Sequence, residues 1–562
     1  MKKIPKVLWL ILALALVLRI WNIAGPDISG DDATYSFRSI GYIDFIAAAN
    51  RQSTPVNWFP SEQWWQPLSF HDAPPLVFAL QHFSFEIFGD NAYAARLPFV
   101  AIGLLAVYAA YLLGEYLIGL DGGLIAAGIM AITNYPVWLS RIGFLDGVTI
   151  PAILFAIYFF LKAQKDPRYY RAWGAACAAG LLTKYTFLFL GPAFFIGLML
   201  WQRSALRKKE FYQGLAILLA LLSPVIVYNT MMFMSRGHFD AALSTLIGQR
   251  PADFSGLIRT KNGNVLDIIG QFFSGQAFSF FMIICAAIGA FAFSTNATTG
   301  AFALLTIGIA GAIAELAVIG EIGRFGAILI PFIVIFSAMG VKYIFDRAKR
   351  YKLEKTAIAG FALIAAIEIM ITIQSQLLPQ PLFAVNSLTS TYHAPWDGYE
   401  ALENYIADFY ALHNNVSPIL TYQNDGQQIA HYQKNLILHS LTGNENTAAQ
   451  DQLVIYDERM NWFASLWTFE RRRLYKAEPI HSLWQFLENT KGGADLSFYK
   501  NFGIKTATIV IATDAMQQNQ DIIHKADVDA FAAQIRSVLQ PTAEIRDEKN
   551  DAVFLIYTIK IQ

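Results

Sequence analysis

The chain has 562 residues, 55% of them hydrophobic and 15% charged, and its mean hydropathy of +0.39 excludes an ordinary water-soluble protein of this size. Its formal net charge of zero conceals a division, because residues 378–562 carry 21 acidic against 14 basic side chains while residues 1–377 carry 28 basic against 21 acidic. The two cysteines, Cys177 and Cys285, both sit in apolar runs, which excludes a disulfide framework and a metal-type Cys/His cluster and leaves the redox compartment open.

Residues 1–24 begin like a signal peptide, with Lys2, Lys3 and Lys6 before an apolar run. They lack a small-residue cleavage site and many apolar runs follow, so the sequence predicts an uncleaved first span with a cytoplasmic N-terminus. About 20 apolar residues cross about 30 Å of hydrocarbon. On that measure spans are predicted near 7–24, 96–118, 123–139, 148–163, 211–231, 270–293, 300–319, 325–345 and 356–377. Residues 172–201 are too long for one ordinary span and short for two, with Lys184 in the middle.

Loop charge arbitrates, since cytoplasmic loops accumulate Lys and Arg. If 172–201 is two short helices, the clusters Lys2 to Lys6, Lys162 to Arg171, Arg203 to Lys209 and Lys342 to Lys355 put seventeen basic residues on one side. The prediction is therefore a polytopic α-helical protein of the plasma membrane with eleven transmembrane helices, N-terminus inside, and Lys184 near the outer surface. Residues 1–377 would form the transmembrane domain, with a large outer loop at 25–95. Residues 378–562 would form a soluble extracytoplasmic α/β domain, with strands at Pro418–Tyr422, Leu453–Tyr456, Thr506–Ala512 and Ala552–Lys560 and helices near 398–412 and 526–539. The sequence has no internal repeat.

The residues able to carry chemistry fall on the predicted outer side. Directly after the first span come Asp31 and Asp32, a pair that repels itself unless a cation or metal sits between, so that one carboxylate can take a proton from a hydroxyl. The plainer expectation is an N-cap for a helix over Ala33 to Ile46. Asp146 is read the same way, as an N-cap or as a polar group of the outer face. Lys184 and Arg324 are expected either to snorkel to the interface or, together, to bind a lipid phosphate. Glu315 lies near the outer end of its span and within reach of that cluster, whereas Glu368 is mid-helix with no role. His71 and Asp72 look like metal ligands, against the expectation of two solvated loop residues.

The order of these pieces resembles the GT-C membrane glycosyltransferases, in particular the group of protein O-mannosyltransferases and lipid A aminoarabinose transferases. Asp31-Asp32-Ala33-Thr34-Tyr35 is similar to the acidic element after the first span. Pro74-Pro75-Leu76, Phe88-Gly89 with Arg96-Leu97-Pro98, Ser140-Arg141 followed by Asp146, Leu182-Thr183-Lys184, and Arg324-Phe325 with Pro331 follow in the family's order over about residues 7–345. One departure is Ala73, where the aminoarabinose transferases usually carry a lysine.

The resemblance implies transfer of a sugar from a polyprenyl or dolichyl phosphate to a protein, lipid or glycan acceptor at the outer face, with inversion. It implies catalytic roles for Asp31, Asp32 and Asp146 and donor-phosphate contacts from Lys184, Arg324 and Arg141. Tyr35, His71, Asp72 and Glu321 are candidates to contact substrate or a divalent metal ion. Membrane lipids are expected partners and nucleic acid is not. The alternatives are an oligosaccharyltransferase-like enzyme, against which only Trp396-Asp397 is found where a WWD-type element is expected, and a lipid-carrier transporter or flippase, which the lack of a repeat disfavours.

Overall fold

The computed structural model describes residues 5–45, 55, 58–59, 63–254, 270, 278–296, 299–319, 323–380, 382, 394–413, 452–476, 478–501, 503–519, 522 and 524–561. The chain forms two compact units, one of residues 1–23, 68–252 and 257–394 and the other of residues 24–67, 253–256 and 395–562.

The first unit is helical. Among the described residues, six helices are long and apolar enough to cross a membrane: Ala92–Ile132, Leu145–Ala163, Lys209–Arg236, Gly300–Val318, Gly323–Arg350 and Glu354–Gln376. The predicted runs at 148–163, 211–231, 300–319, 325–345 and 356–377 correspond to five of them, to within a residue or two for 300–319 and 356–377, whereas the other three helices extend three to five residues beyond the predicted run at one end. The first predicted span overlaps the helix Lys6–Ile20, and the 270–293 run overlaps Phe280–Asn296. A straight helix of 41 residues would be about 60 Å long, twice the hydrocarbon core. Ala92–Ile132 is not straight, because Gly119 has φ 84° and ψ 178°, a conformation open to glycine. Beyond it the chain folds back so closely that a Cβ on Gly123 would lie 2.7 Å from the Tyr111 carbonyl oxygen. Two limbs therefore stand where the sequence predicted spans at 96–118 and 123–139, the second continuing past Thr133 as Asn134–Arg141.

The 172–201 stretch is also a hairpin of two short limbs. The helix Tyr169–Thr183 ends at Lys184, whose backbone is extended, and the chain returns through a 3-10 turn, Tyr185–Leu190, and the helix Gly191–Leu200. Cross-limb contacts fix the return: Trp173 packs edge-on to Phe194 at 5.6 Å, and Tyr170 hydrogen-bonds Gln202. Small residues allow the helices to touch, as at Gly174, where a Cβ would stand 2.0 Å from the Gly214 carbonyl oxygen.

The second unit is built on a five-stranded sheet in the order β2-β1-β3-β5-β4, with β1 Gln452–Tyr456, β2 Ile480–Ser482, β3 Thr506–Ala512, β4 Ala543–Arg546 and β5 Ala552–Lys560. Strands β2, β1 and β3 are parallel and β5 is antiparallel to both neighbours. Alternation sorts the side chains of β1, so Val454 and Tyr456 pack on one face with the helix Tyr399–His413, while Leu453 and Ile455 pack on the other with Leu483–Asn489 and Lys525–Val538. Two of the predicted strands are these β3 and β5, a third lies within β1, and the strand at Pro418–Tyr422 lies outside the described residues. The short β2 and β4 are not among the predictions.

The segment after the first span belongs to this second unit. Its helix, Gly30–Gly41, buries Phe37 against Leu466 and Leu474, and the Tyr475 hydroxyl donates to the Phe37 carbonyl at 2.8 Å. Asp27 receives the backbone N–H groups of Asp397 (2.5 Å) and Glu400 (2.7 Å) and so caps the helix Tyr399–His413 from far away in sequence.

Candidate functional site

Asp146 is the second residue of Leu145–Ala163, whose N-cap is Phe144, so the N-cap reading of Asp146 does not hold. Gly147 makes the placement achievable, since a Cβ there would lie 2.5 Å from the Leu139 carbonyl oxygen of the preceding helix. The Asp146 side chain is 3% exposed and meets two cations: Lys184 Nζ is 2.5 Å from Oδ1, and Arg324 Nε is 3.4 Å from Oδ2. Lys184 arrives from the hairpin turn, and Arg324 from the turn Gly323–Leu329 ahead of the helix Ile330–Arg350.

Aromatic rings floor this triad. Lys184 Nζ stands 4.2 Å above the centre of the Phe325 ring, and the Arg324 guanidinium lies 5.0 Å from Phe325 and 5.4 Å from Phe144. One carboxylate is thus shared by two cations of different shape, an ammonium and a planar guanidinium. Lys184 also acts on Glu315 through space.

The hairpin turn is anchored beside the triad by residues that the sequence reading did not single out. Tyr185 donates through its hydroxyl to Asp240 Oδ2 at 2.8 Å, Asn229 Nδ2 donates to the same oxygen at 2.8 Å, and Asp240 Oδ1 accepts the Leu243 N–H at 2.8 Å. Burial raises the Asp240 carboxyl above its ordinary range against the pull of these donors. The only local signal for Asp240 was its place before a short helix, Ala241–Leu246; its contacts with Tyr185 and Asn229 depend on the fold.

The remaining predicted site residues are placed as follows. Arg141, grouped in the sequence with the phosphate contacts, donates instead to the carbonyls of Leu18 (3.2 Å), Arg19 (3.1 Å) and Trp21 (2.8 Å). Together with Arg96, which donates to the Ile23 carbonyl at 2.9 Å, it satisfies the open end of the first helix. His71 is buried, not solvated as expected, with its ring nitrogen 3.9 Å from Asp72 and its carbonyl accepting the Ala241 N–H at 2.7 Å. The pair could offer an imidazole nitrogen and a carboxylate oxygen to a cation. Glu321 lies outside the described residues. In the second unit, the helix carrying Asp31 and Asp32 starts at Gly30 with Ser29 as N-cap, so neither aspartate caps it and both lie in its first turn. Asp32 is buried, and Asp31 is half-buried and accepts a hydrogen bond from Tyr35 at 3.3 Å.

Comparison with known proteins adds three likenesses. Residues 72–228 match the family described as Dolichyl-phosphate-mannose-protein mannosyltransferase, a stretch that includes Arg141, Asp146 and Lys184. YkcB of Bacillus subtilis (strain 168), whose mannosyltransferase assignment is itself provisional, is 24% identical over 202 residues, which are 34% of this chain and 28% of that protein. The chain thus spans under a third of that relative's length. ArnT from Cupriavidus metallidurans, solved with undecaprenyl phosphate bound, shares the fold over 98% of both chains with a TM-score of 0.54 at 12% identity. The oligosaccharyltransferase AglB from Archaeoglobus fulgidus aligns over 90% of this chain and 69% of its own, at 15% identity and a TM-score of 0.48. The matched segment and the fold agree with the resemblance drawn from the sequence.

Proposed function

With this chain taken as a membrane glycosyltransferase of the GT-C type, we propose that it transfers a sugar from a polyprenyl or dolichyl phosphate to a hydroxyl of a protein, lipid or glycan acceptor on the outer face of the membrane. The observation that carries this reading is the Asp146–Lys184–Arg324 triad. Its pairing of an ammonium with a planar guanidinium suits a lipid phosphate. The undecaprenyl phosphate bound by ArnT is a ligand of the same chemistry.

In the proposed step the acceptor oxygen attacks the anomeric carbon as its bond to the phosphate oxygen breaks. The electron pair leaves on the phosphate, where Lys184 and Arg324 hold it, and the hydroxyl proton passes to Asp31. A single in-line displacement inverts the anomeric centre. Asp146 sets the two cations at a fixed separation, Asp32 supports its neighbour in the first helical turn, and Arg141 holds the end of the first span. Positioning and charge stabilisation supply the barrier reduction.

The test is a transfer assay on purified full-length variants with a radiolabelled polyprenyl-phosphate sugar, beside a binding measurement for the same donor. Lys184→Ala and Arg324→Ala should each lower donor turnover by about 10- to 150-fold, the effect of one lost charge-assisted contact. Asp31→Asn should lower the rate by roughly 10²–10⁴-fold with donor binding retained. Wild-type turnover in both cation variants would end the phosphate assignment, and an Asp31→Asn protein within threefold of wild type would end the general-base assignment.

A further inference from the structure

A groove lies at one end of a helix pair in the first unit. The helices Phe280–Asn296 and Ile330–Arg350 run parallel and touch at two glycines: a Cβ on Gly289 would lie 1.9 Å from the Phe336 carbonyl oxygen, and one on Gly340 would lie 1.9 Å from that of Cys285. The Ser337 hydroxyl adds a hydrogen bond to the Met282 carbonyl at 2.9 Å. Contact this close fixes the helices rigidly at that level. Toward their C-terminal ends lies a groove of ≈ 640 Å³ whose lining includes Ala287, Ile288, Phe291, Ile344 and Leu353 together with Tyr343 and Arg347. Phe291 and Leu353 are 68% and 55% exposed, so the groove opens outward along the helix pair.

Its rim is cationic. Arg347, Lys349, Arg350, Lys352 and Lys355 crowd the turn after the helix, against Asp346 and Glu354. Asp346 is already paired with Lys342 at 3.2 Å, and among the described residues none of Arg347, Lys349, Arg350 or Lys352 has a carboxylate within ion-pair distance. Arg347 donates its Nε–H to the Tyr343 hydroxyl at 3.2 Å and lies 5.2 Å from that ring, which fixes the guanidinium in the groove lining and leaves its terminal N–H groups for another acceptor. An apolar groove beside cations with no carboxylate in ion-pair distance is complementary to an amphipathic anion.

We propose that this groove binds an anionic phospholipid, its acyl chain lying along Ala287, Ile288 and Ile344 and its phosphate on Arg347 and the neighbouring lysines. The principle is the one by which basic pockets between transmembrane helices take anionic headgroups. The site is separate from the Asp146 triad and does not depend on the proposed transfer reaction.

The test uses the full-length protein in detergent, exchanged with an equimolar mixture of phosphatidylglycerol and phosphatidylcholine of matched chains, with retained lipid counted by native mass spectrometry. Wild type should retain phosphatidylglycerol several-fold over phosphatidylcholine. Arg347→Ala should reduce that preference about fivefold, the expected effect of one cation at a membrane surface. Ala287→Trp, which fills the groove and leaves every charge in place, should reduce phosphatidylglycerol retention to a similar degree. Arg207→Ala, a cation away from the groove, should change neither. Equal retention of the two lipids by wild type, an unaltered preference in Arg347→Ala, undiminished phosphatidylglycerol retention in Ala287→Trp, or a loss in Arg207→Ala as large as in Arg347→Ala would each overturn the site.

Discussion

Two carboxylates, one in each compact unit, are hidden from solvent to the same degree and are satisfied in different ways. Asp146 in the helical unit is 3% exposed and sits between Lys184 and Arg324, so its charge is answered by charge. Asp27 in the mixed unit is 2% exposed and receives the backbone N–H groups of Asp397 and Glu400, so its charge is answered by amides at a helix start. The difference sets what each can do. A carboxylate between cations fixes their separation and holds an ammonium and a guanidinium side by side. A carboxylate among amides joins two chain segments, and burial pushes its pKa up to about 6, further than the amides pull it down.

The contrast is sharpest when Asp146 is removed. Asp146→Ala leaves two cations without their shared partner in a buried setting and should destabilise the first unit by roughly 3–5 kcal/mol. Thermal unfolding of the purified protein in detergent reads this directly, and an unchanged melting temperature would mean that water reaches both cations. The second expectation concerns pH. Because Asp27 binds its proton more tightly in the folded unit, at about 6, than at its ordinary value of 3.8, its contribution to stability is complete below the ordinary value and is lost as pH rises through about 6. The second unit should therefore gain up to about 3 kcal/mol on acidification across that window. Asp27→Asn should flatten the dependence, as followed by protease resistance of the C-terminal residues; a wild-type profile in that variant would assign the titration to another group. The smallest effect is expected for Tyr475→Phe, which removes the hydroxyl bonded to the Phe37 carbonyl while keeping the ring packed at 5.6 Å from Phe37. It should cost roughly 1 kcal/mol of second-unit stability. A loss several times larger would show that the hydroxyl does more than hold the helix Gly30–Gly41.

Much of the helical unit was legible because hydrophobic run length is a local property. The runs at 148–163, 300–319 and 356–377 needed no partner to be recognised, and the requirement that basic loops share one side was enough to divide 172–201 at Lys184. The helices at 398–412 and 526–539 and the strands Thr506–Ala512 and Ala552–Lys560 were legible for the same reason, since each carries its own period. The strand Ile480–Ser482 has three residues and no readable alternation, and it exists because β1 offers a parallel partner.

The sequence by itself also determined the chemistry available: an acidic pair after the first span, a lysine at a hairpin turn, an arginine opening a helix. Their partners were decided by tertiary structure alone. Arg141 and Arg324 are alike as apolar-flanked arginines, yet one donates to the carbonyls that end the first helix and the other to Asp146. Asp31 and Asp32 could each have capped a helix until the chain placed Ser29 there. Asp240 carries no motif, and its place beside Tyr185 depends on a helix, a loop and a turn meeting across more than fifty residues of chain. Run length and period act between neighbours along the chain, whereas an ion pair or a buried hydrogen bond acts between groups that only the packed fold brings within reach.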